Sequence, residues 1–231
     1  MNNSSQSYFL AGICGVGMSS LALLLKSRGN AVRGSDIIVE GAEVERLKVA
    51  GIAVVAEKEG AESLSNSDIL VVSSAIHPDN LVLLAAQKAN LIIKHRADVL
   101  AEVTADHFLI AVSGTHGKTT TSGMIGYTLA KLGYQPIVYV GGKIMGFNDY
   151  FPEGGNKHLV NGKPIMVIET DESDASFLKF HPDVAIITNI DRDHLGTYGD
   201  NFENLIDAFK QFTKQCEEQN GFIIGYGDDK N

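Results

Sequence analysis

Short apolar runs alternate with stretches of helical periodicity along the whole chain. Runs rich in β-branched residues at 8–13, 31–34, 52–55, 69–73 and 91–93 predict strands. Between them, the patterns at about 18–28, 41–50, 79–89 and 96–103 predict helices. Continuous apolar strands separated by helices are what a parallel sheet covered on both faces requires. The alternation restarts near His107, with strands predicted at 108–112, 137–140, 165–169, 184–188 and 222–224 and helices at about 118–132 and 201–218. The boundary is placed near Thr104, giving two α/β domains, 1–104 and 105–231. Residues 141–163 obey neither period. With seven glycines and prolines they predict a long loop or an excursion of two small strands.

Composition narrows the class. At 231 residues the chain is long enough for two domains with cores of their own. No apolar run approaches the 18 residues of a membrane span, and the start lacks the basic region of a secretory signal, so a cytoplasmic protein is expected. Cys14 and Cys216 lack ligand spacing and read as free thiols. The net charge of −9 argues against a non-specific hold on nucleic acid, and any anion site must draw on local positive charge.

The segment 110–122, IAVSGTHGKTTTS, runs from apolar residues into a Gly-Lys-Thr turn and then a helical pattern. Backbone N–H groups of such a turn and of the helix start point donors at an anion, and Lys118 adds a mobile positive charge. Gly114, Thr115, His116, Gly117, Lys118, Thr119 and Thr120 are therefore candidate nucleotide phosphate binders. Thr119 can place its hydroxyl on a magnesium ion bridging the phosphates. The usual G-x-x-x-x-G-K-[ST] wants glycine at 112 and finds Val112, so the glycine spacing is shorter. A merely polar connection explains Gly117 but not Lys118, Thr119, Thr120 and Thr121 in succession.

A second glycine turn, GICGVG at 12–17, follows the first predicted strand and opens a helix. Gly12, Cys14, Gly15, Val16 and Gly17 are candidates for a phosphate-bearing ligand, and Asp36 lies where a ribose-binding acid would. The dinucleotide pattern G-x-G-x-x-G fails in both registers, at Cys14 counted from Gly12 and at Ser20 counted from Gly15. A nucleotide-type ligand and a purely structural turn both remain open. Ser74, His77 and Arg96 fall at carboxyl ends of predicted strands, where ligands of open sheets bind, and are candidates to read an acidic sugar nucleotide. His77 reads equally well as a capping or surface residue.

Glu169, Asp171, Glu172 and Asp174 crowd the end of another apolar strand. Crowded carboxylates repel one another unless a cation relieves them, and magnesium suits oxygen ligands; a solvated acidic loop is the alternative. The next strand leads to Asn189, Asp193 and His194 at the same predicted sheet edge as Lys118 and Glu172. His194 reads as a magnesium ligand, a phosphate-orienting group or a satisfied structural histidine.

In order and spacing, GICGVGMSSLALLL with GSD at 34–36, SSAIHPDN at 73–80, SGTHGKTTT at 113–121, ETDESDASFLKFHPD at 169–183 and TNIDRDHLGTYGDNFENL at 188–205 resemble the Mur ligase family. They look most like its members that join L-alanine to UDP-N-acetylmuramate in peptidoglycan precursor synthesis. The resemblance implies a Rossmann-like domain for the UDP-sugar, a P-loop-type central ATPase domain, and a carboxyl-terminal domain that this chain is expected to lack. It assigns the UDP part to the 12–17 loop, with Ser74, His77 and Arg96 toward the sugar nucleotide. It makes Lys118 the phosphate-binding lysine, Thr119, Glu172 and His194 the magnesium-positioning residues, and Asn189 the asparagine before that histidine, with His116 shared by the nearest relatives. Thr170 stands where the family more often has alanine. ATP and Mg²⁺ are the implied cofactors. The implied reaction phosphorylates the sugar's lactyl carboxylate, and an amine then displaces the phosphate. A ligase attaching a ready-made tripeptide, or a non-catalytic UDP-sugar-binding fragment, are the alternatives.

Overall fold

The computed structural model describes residues 5–141 and 159–227, so most of the irregular 141–163 stretch lies outside the described residues. The chain forms two compact units, Met1–Leu100 and Ala101–Asn231. Both are α/β with parallel sheets.

In the first unit the order is β1 (Ser7–Ala11), α1 (Val16–Ser27), β2 (Ala31–Asp36), α2 (Ala42–Val49), β3 (Ala53–Ala56), α3 (Glu57–Glu62), β4 (Asp68–Val72), α4 (Leu81–Lys88) and β5 (Ile92–His95). Helix α5 (Arg96–Thr104) begins here and runs into the second unit. The five strands lie in the order β3-β2-β1-β4-β5, all parallel. Chain direction across the sheet reverses between β1 and β4, which opens a crevice at their carboxyl ends. Phe9, Ala11 and Leu70 from the sheet pack with Val82 and Ala86 of α4 in a core closed to solvent.

The second unit contains β6 (Phe108–Ser113), α6 (Lys118–Lys131), β7 (Ile137–Tyr139), β8 (Leu159–Val160), β9 (Lys163–Glu169), β10 (Val184–Ile187), α7 (Phe202–Glu218) and β11 (Phe222–Gly225). Strand order is β11-β10-β6-β9-β7, parallel, with β8 antiparallel on β9. The register places Val112 beside Glu169 and Ser113 beside Ile187. The loops after β6, β9 and β10 therefore leave the sheet at one level. Helix α7 buries the stripe Phe202, Leu205, Phe209, Phe212 and Cys216, and Phe209 and Phe212 pack on Phe177 at ring separations of 5.0 and 5.2 Å.

Two elements escape the periodicity. The sequence of α3, EKEGAE, has no apolar stripe; it rests close on the sheet through Gly60, where a Cβ would stand 2.7 Å from Ser35 Cβ. The β8–β9 hairpin turns through Asn161 and Gly162, both at positive φ, the Asn-Gly signature of a tight hairpin. Among the described residues no helix is long and apolar enough to cross a membrane.

Candidate functional site

The loop after β6 is built to approach the next strand's exit. Gly114 adopts φ +129°, and a Cβ there would fall 2.2 Å from Thr188 Oγ1. Gly117, left-handed, starts α6. Asn189 spends both ends of its amide on His116: Oδ1 accepts the His116 N–H at 2.9 Å, and Nδ2 donates to the His116 carbonyl at 2.9 Å. Thr115 donates its N–H to the Asn189 carbonyl and accepts from Asp191 N–H through its hydroxyl. In this arrangement Asn189 acts on the loop, while Thr120 is exposed on the first turn of α6.

Lys118 folds back over that loop. Its ammonium donates to the carbonyls of Gly114 (2.6 Å) and Thr115 (3.1 Å) and lies 2.8 Å from Glu172 Oε2. The Glu172 side chain is only 1% exposed, and its Oε1 lies 3.1 Å from His194 Nδ1. Glu172 thus reaches both Lys118 and His194, although 22 positions and a strand separate it from the histidine. The Tyr198 hydroxyl donates to the Glu172 carbonyl at 2.5 Å and fixes the turn from below. Burial, with Glu172, Asp174 and Asp171 nearby, pushes that phenol's pKa up to about 12, so it keeps its proton as a donor.

The four acids separate into two pairs. Asp171 accepts from Ser173, and Asp174 from Ser176, in local turns. Glu169 and Glu172 face the site, but on different partners: Thr119 Oγ1 lies 3.0 and 2.9 Å from the two oxygens of Glu169, not on Glu172. The acid crowding was visible in the sequence; nothing in it distinguished Glu169 from Asp171, and Tyr198 gave no signal. The departure at Thr170 is absorbed locally, since its hydroxyl donates to the Val112 carbonyl.

Among the described residues no three His, Cys, Asp or Glu side chains gather as a closed metal cage. Magnesium does not need one, because it typically keeps several waters and takes one or two carboxylates together with phosphate oxygens. The oxygen donors of Thr119 and Glu172 fit that habit. So does the buried Glu172 carboxylate, whose oxygens meet the side chains of Lys118 and His194.

In the first unit, a cavity of about 420 Å³ at the carboxyl edge is lined by Gly12, Ser35, Asp36, Ile37, Glu57 and the 75–80 loop including His77. Three sequence candidates, Gly12, Asp36 and His77, therefore share one cavity. Asp36 serves the backbone first: its oxygens accept N–H groups of Cys14 (2.8 Å) and Ile38 (3.2 Å). The exposed His77 ring pairs with Asp79. Arg96 lies against Gly17, where a Cβ would come within 2.9 Å of its Nη1. Ser74, Cys14, Gly15 and Val16 flank the cavity in sequence without lining it. Burial, then the charges of Asp36 and Glu43, pushes the Cys14 thiol up to about 11, so it is not a nucleophile at neutral pH. Sequence reasoning missed Glu57, which lines the cavity and accepts the Leu81 N–H at 2.8 Å.

Each of the two sheet edges receives a helix start of the same kind. Helices α1 and α6 begin at glycines with neither a side-chain cap nor an acid in the first turn. The others carry Asn80 or Asn201 as a cap, or acids at the start. The positive ends of α1 and α6 are thus not compensated by side chains of their own cap or first turn.

Residues 8–108 match the profile of the Mur ligase family catalytic domain, and residues 112–231 that of the Mur ligase middle domain. The chain belongs to the Mur ligase family. It is 46% identical over 205 residues to the UDP-N-acetylmuramate–L-alanine ligase of Gloeobacter violaceus, covering 89% of this chain and 42% of that protein. Among solved structures it is similar to the UDP-N-acetylmuramate–alanine ligase of Thermotoga maritima, at 29% identity and TM-score 0.79, over 97% of this chain and 50% of the other. It is also similar to the UDP-N-acetylmuramate:L-alanyl-γ-D-glutamyl-meso-diaminopimelate ligase from Neisseria, at 25% identity and TM-score 0.85, over 98% and 73%. The chain spans less than half the length of the curated relatives it matches.

Proposed function

We propose that this Mur ligase chain carries the UDP-sugar-binding part, within 1–104, and the central ATP-binding part, within 105–231, of an enzyme joining L-alanine to UDP-N-acetylmuramate. It would act in the cytoplasm in peptidoglycan precursor synthesis. The observation that carries the reading is the meeting of Lys118, Glu172 and His194 beside the uncapped start of α6. An ordinary phosphate loop would explain Lys118 alone. It would leave the first unit's cavity without a use.

In this reading the α6 N–H groups and the Lys118 ammonium hold the ATP phosphates, with Lys118 leaving Glu172 for the γ-phosphate. Thr119, Glu172 and His194 would hold Mg²⁺, which when bound neutralises phosphate charge and aligns the transferring group. Asn189 and Thr188 keep the 114–117 loop in shape. The γ-phosphoryl passes to the lactyl carboxylate, the amine attacks the acyl phosphate, and the tetrahedral adduct expels phosphate as the amide forms. No side chain becomes a covalent nucleophile; the protein contributes positioning and charge stabilisation. In the first unit, Gly12, Asp36 and His77 would hold the uridine nucleotide, with Cys14, Gly15, Val16, Gly17, Ser74 and Arg96 around its phosphates and sugar.

Separate calorimetric titrations of UDP-N-acetylmuramate and of ATP with Mg²⁺ test the binding. Both should bind, and silence from either at millimolar concentration would overturn its assignment. Phosphate release with L-alanine, compared with the tripeptide L-alanyl-γ-D-glutamyl-meso-diaminopimelate, tests the chemistry. The likeness to the Neisseria ligase supports the tripeptide as a second reading, and faster release with it would replace L-alanine.

A further inference from the structure

Glu169 ends β9 at the level where the site opens, and its carboxylate joins two elements. Oε2 accepts the Gly141 N–H at 2.9 Å, just past the end of β7. Both oxygens lie within 3.0 Å of Thr119 Oγ1 in the first turn of α6. An ionised carboxylate only accepts, so the threonine hydrogen must point at Glu169. Both lone pairs of the threonine oxygen then lie on the side away from Glu169. A hydroxyl rotor without such a partner would choose its direction by its surroundings.

We propose that Glu169 is a positioning residue that orients the Thr119 hydroxyl so that its oxygen is presented to a divalent cation. The inference rests on the magnesium–nucleotide reading of the second unit. It adds to that reading a carboxylate that acts through Thr119 and does not itself touch the cation. Hydrogen-bonded partners of metal ligands commonly govern affinity in this way, fixing the ligand's direction and raising its basicity. Asp171 and Asp174 are held in their own turns, so neither replaces Glu169 in this role.

Glu169→Gln keeps the shape but offers one acceptor and one N–H₂. With the acceptor held by Gly141, the amide donates toward Thr119 and takes up the lone pair that a cation would use. The readout is the ratio of ATP dissociation constants in EDTA and in Mg²⁺, measured on the whole chain by calorimetry. Unfolding midpoints serve as the control for fold. We expect Glu169→Gln to lower that ratio by about tenfold. Glu169→Asp, which withdraws the carboxylate by one methylene, is a milder variant expected to lower it in the same direction. In a Thr119→Val background, Glu169→Gln should cause no further loss, because the group it acts through is gone. An unchanged ratio, or losses that add in the double variant, would overturn the proposal; additive losses would make Glu169 a direct ligand. A wild-type chain with no magnesium-dependent gain would instead overturn the nucleotide reading, together with this inference.

Discussion

The Lys118 ammonium and the Glu172 carboxylate lie 2.8 Å apart with 13% and 1% of their side chains exposed. Removing one partner of so buried a pair strands the other charge, at a cost of about 3–5 kcal/mol. Lys118→Ala should therefore lower stability as well as ATP affinity. Lys118→Ala with Glu172→Gln should recover much of the stability and none of the affinity. Denaturant unfolding and nucleotide titration on the same samples separate the two effects, and a stable single variant would deny the burial argument. Cys14 allows a test by pH. With its pKa raised to about 11, only about a thousandth is thiolate at pH 8, and that fraction grows as pH rises toward 11. Alkylation at Cys14 should thus be slow at neutral pH and accelerate steadily up to about pH 11; a plateau near pH 9 would contradict it.

At the scale of elements, the two glycines of the 114–117 loop differ in what they tolerate. Gly117 needs only its left-handed φ, with nothing within 4 Å of where a Cβ would stand, so Gly117→Ala should cost about 1–2 kcal/mol. Gly114 adds a collision with Thr188 Oγ1 and the Asn189 carbonyl, so Gly114→Ala should cost more and weaken ATP binding as the loop shifts. Chemical denaturation ranks them, and equal costs would mean that the loop yields freely. Asn80 accepts the Leu83 N–H at 3.0 Å as the cap of α4 and also lines the first unit's cavity. Asn80→Ala should cost about 1 kcal/mol and weaken uridine-nucleotide binding. The strands and the longer helices were legible because each buries an apolar face of fixed period. Helix α3 was not, since its place depends on Gly60 lying against Ser35, a fact of packing that leaves no stripe.

Across the molecule, each unit presents its candidate ligand site at the carboxyl edge of its own parallel sheet. Titration of UDP-N-acetylmuramate should accordingly give the same dissociation constant, within about twofold, in the wild type and in Lys118→Ala. A larger change would mean that the first unit's cavity depends on the second unit's charge. The sequence by itself determined the α/β class, the sites of both glycine turns and the family, because apolar period, glycine placement and motif order are local properties of the chain. Tertiary structure decided which members of those motifs meet. The register of β6, β9 and β10 brought Glu172 to Lys118 and His194, gave Thr119 to Glu169, and turned Asn189 toward the His116 N–H, while in the first unit Asp36 at the end of β2 went to the Cys14 N–H. Those pairings join residues tens of positions apart, and which of several like carboxylates reaches a given partner depends on strand register and turn direction, which no local pattern encodes.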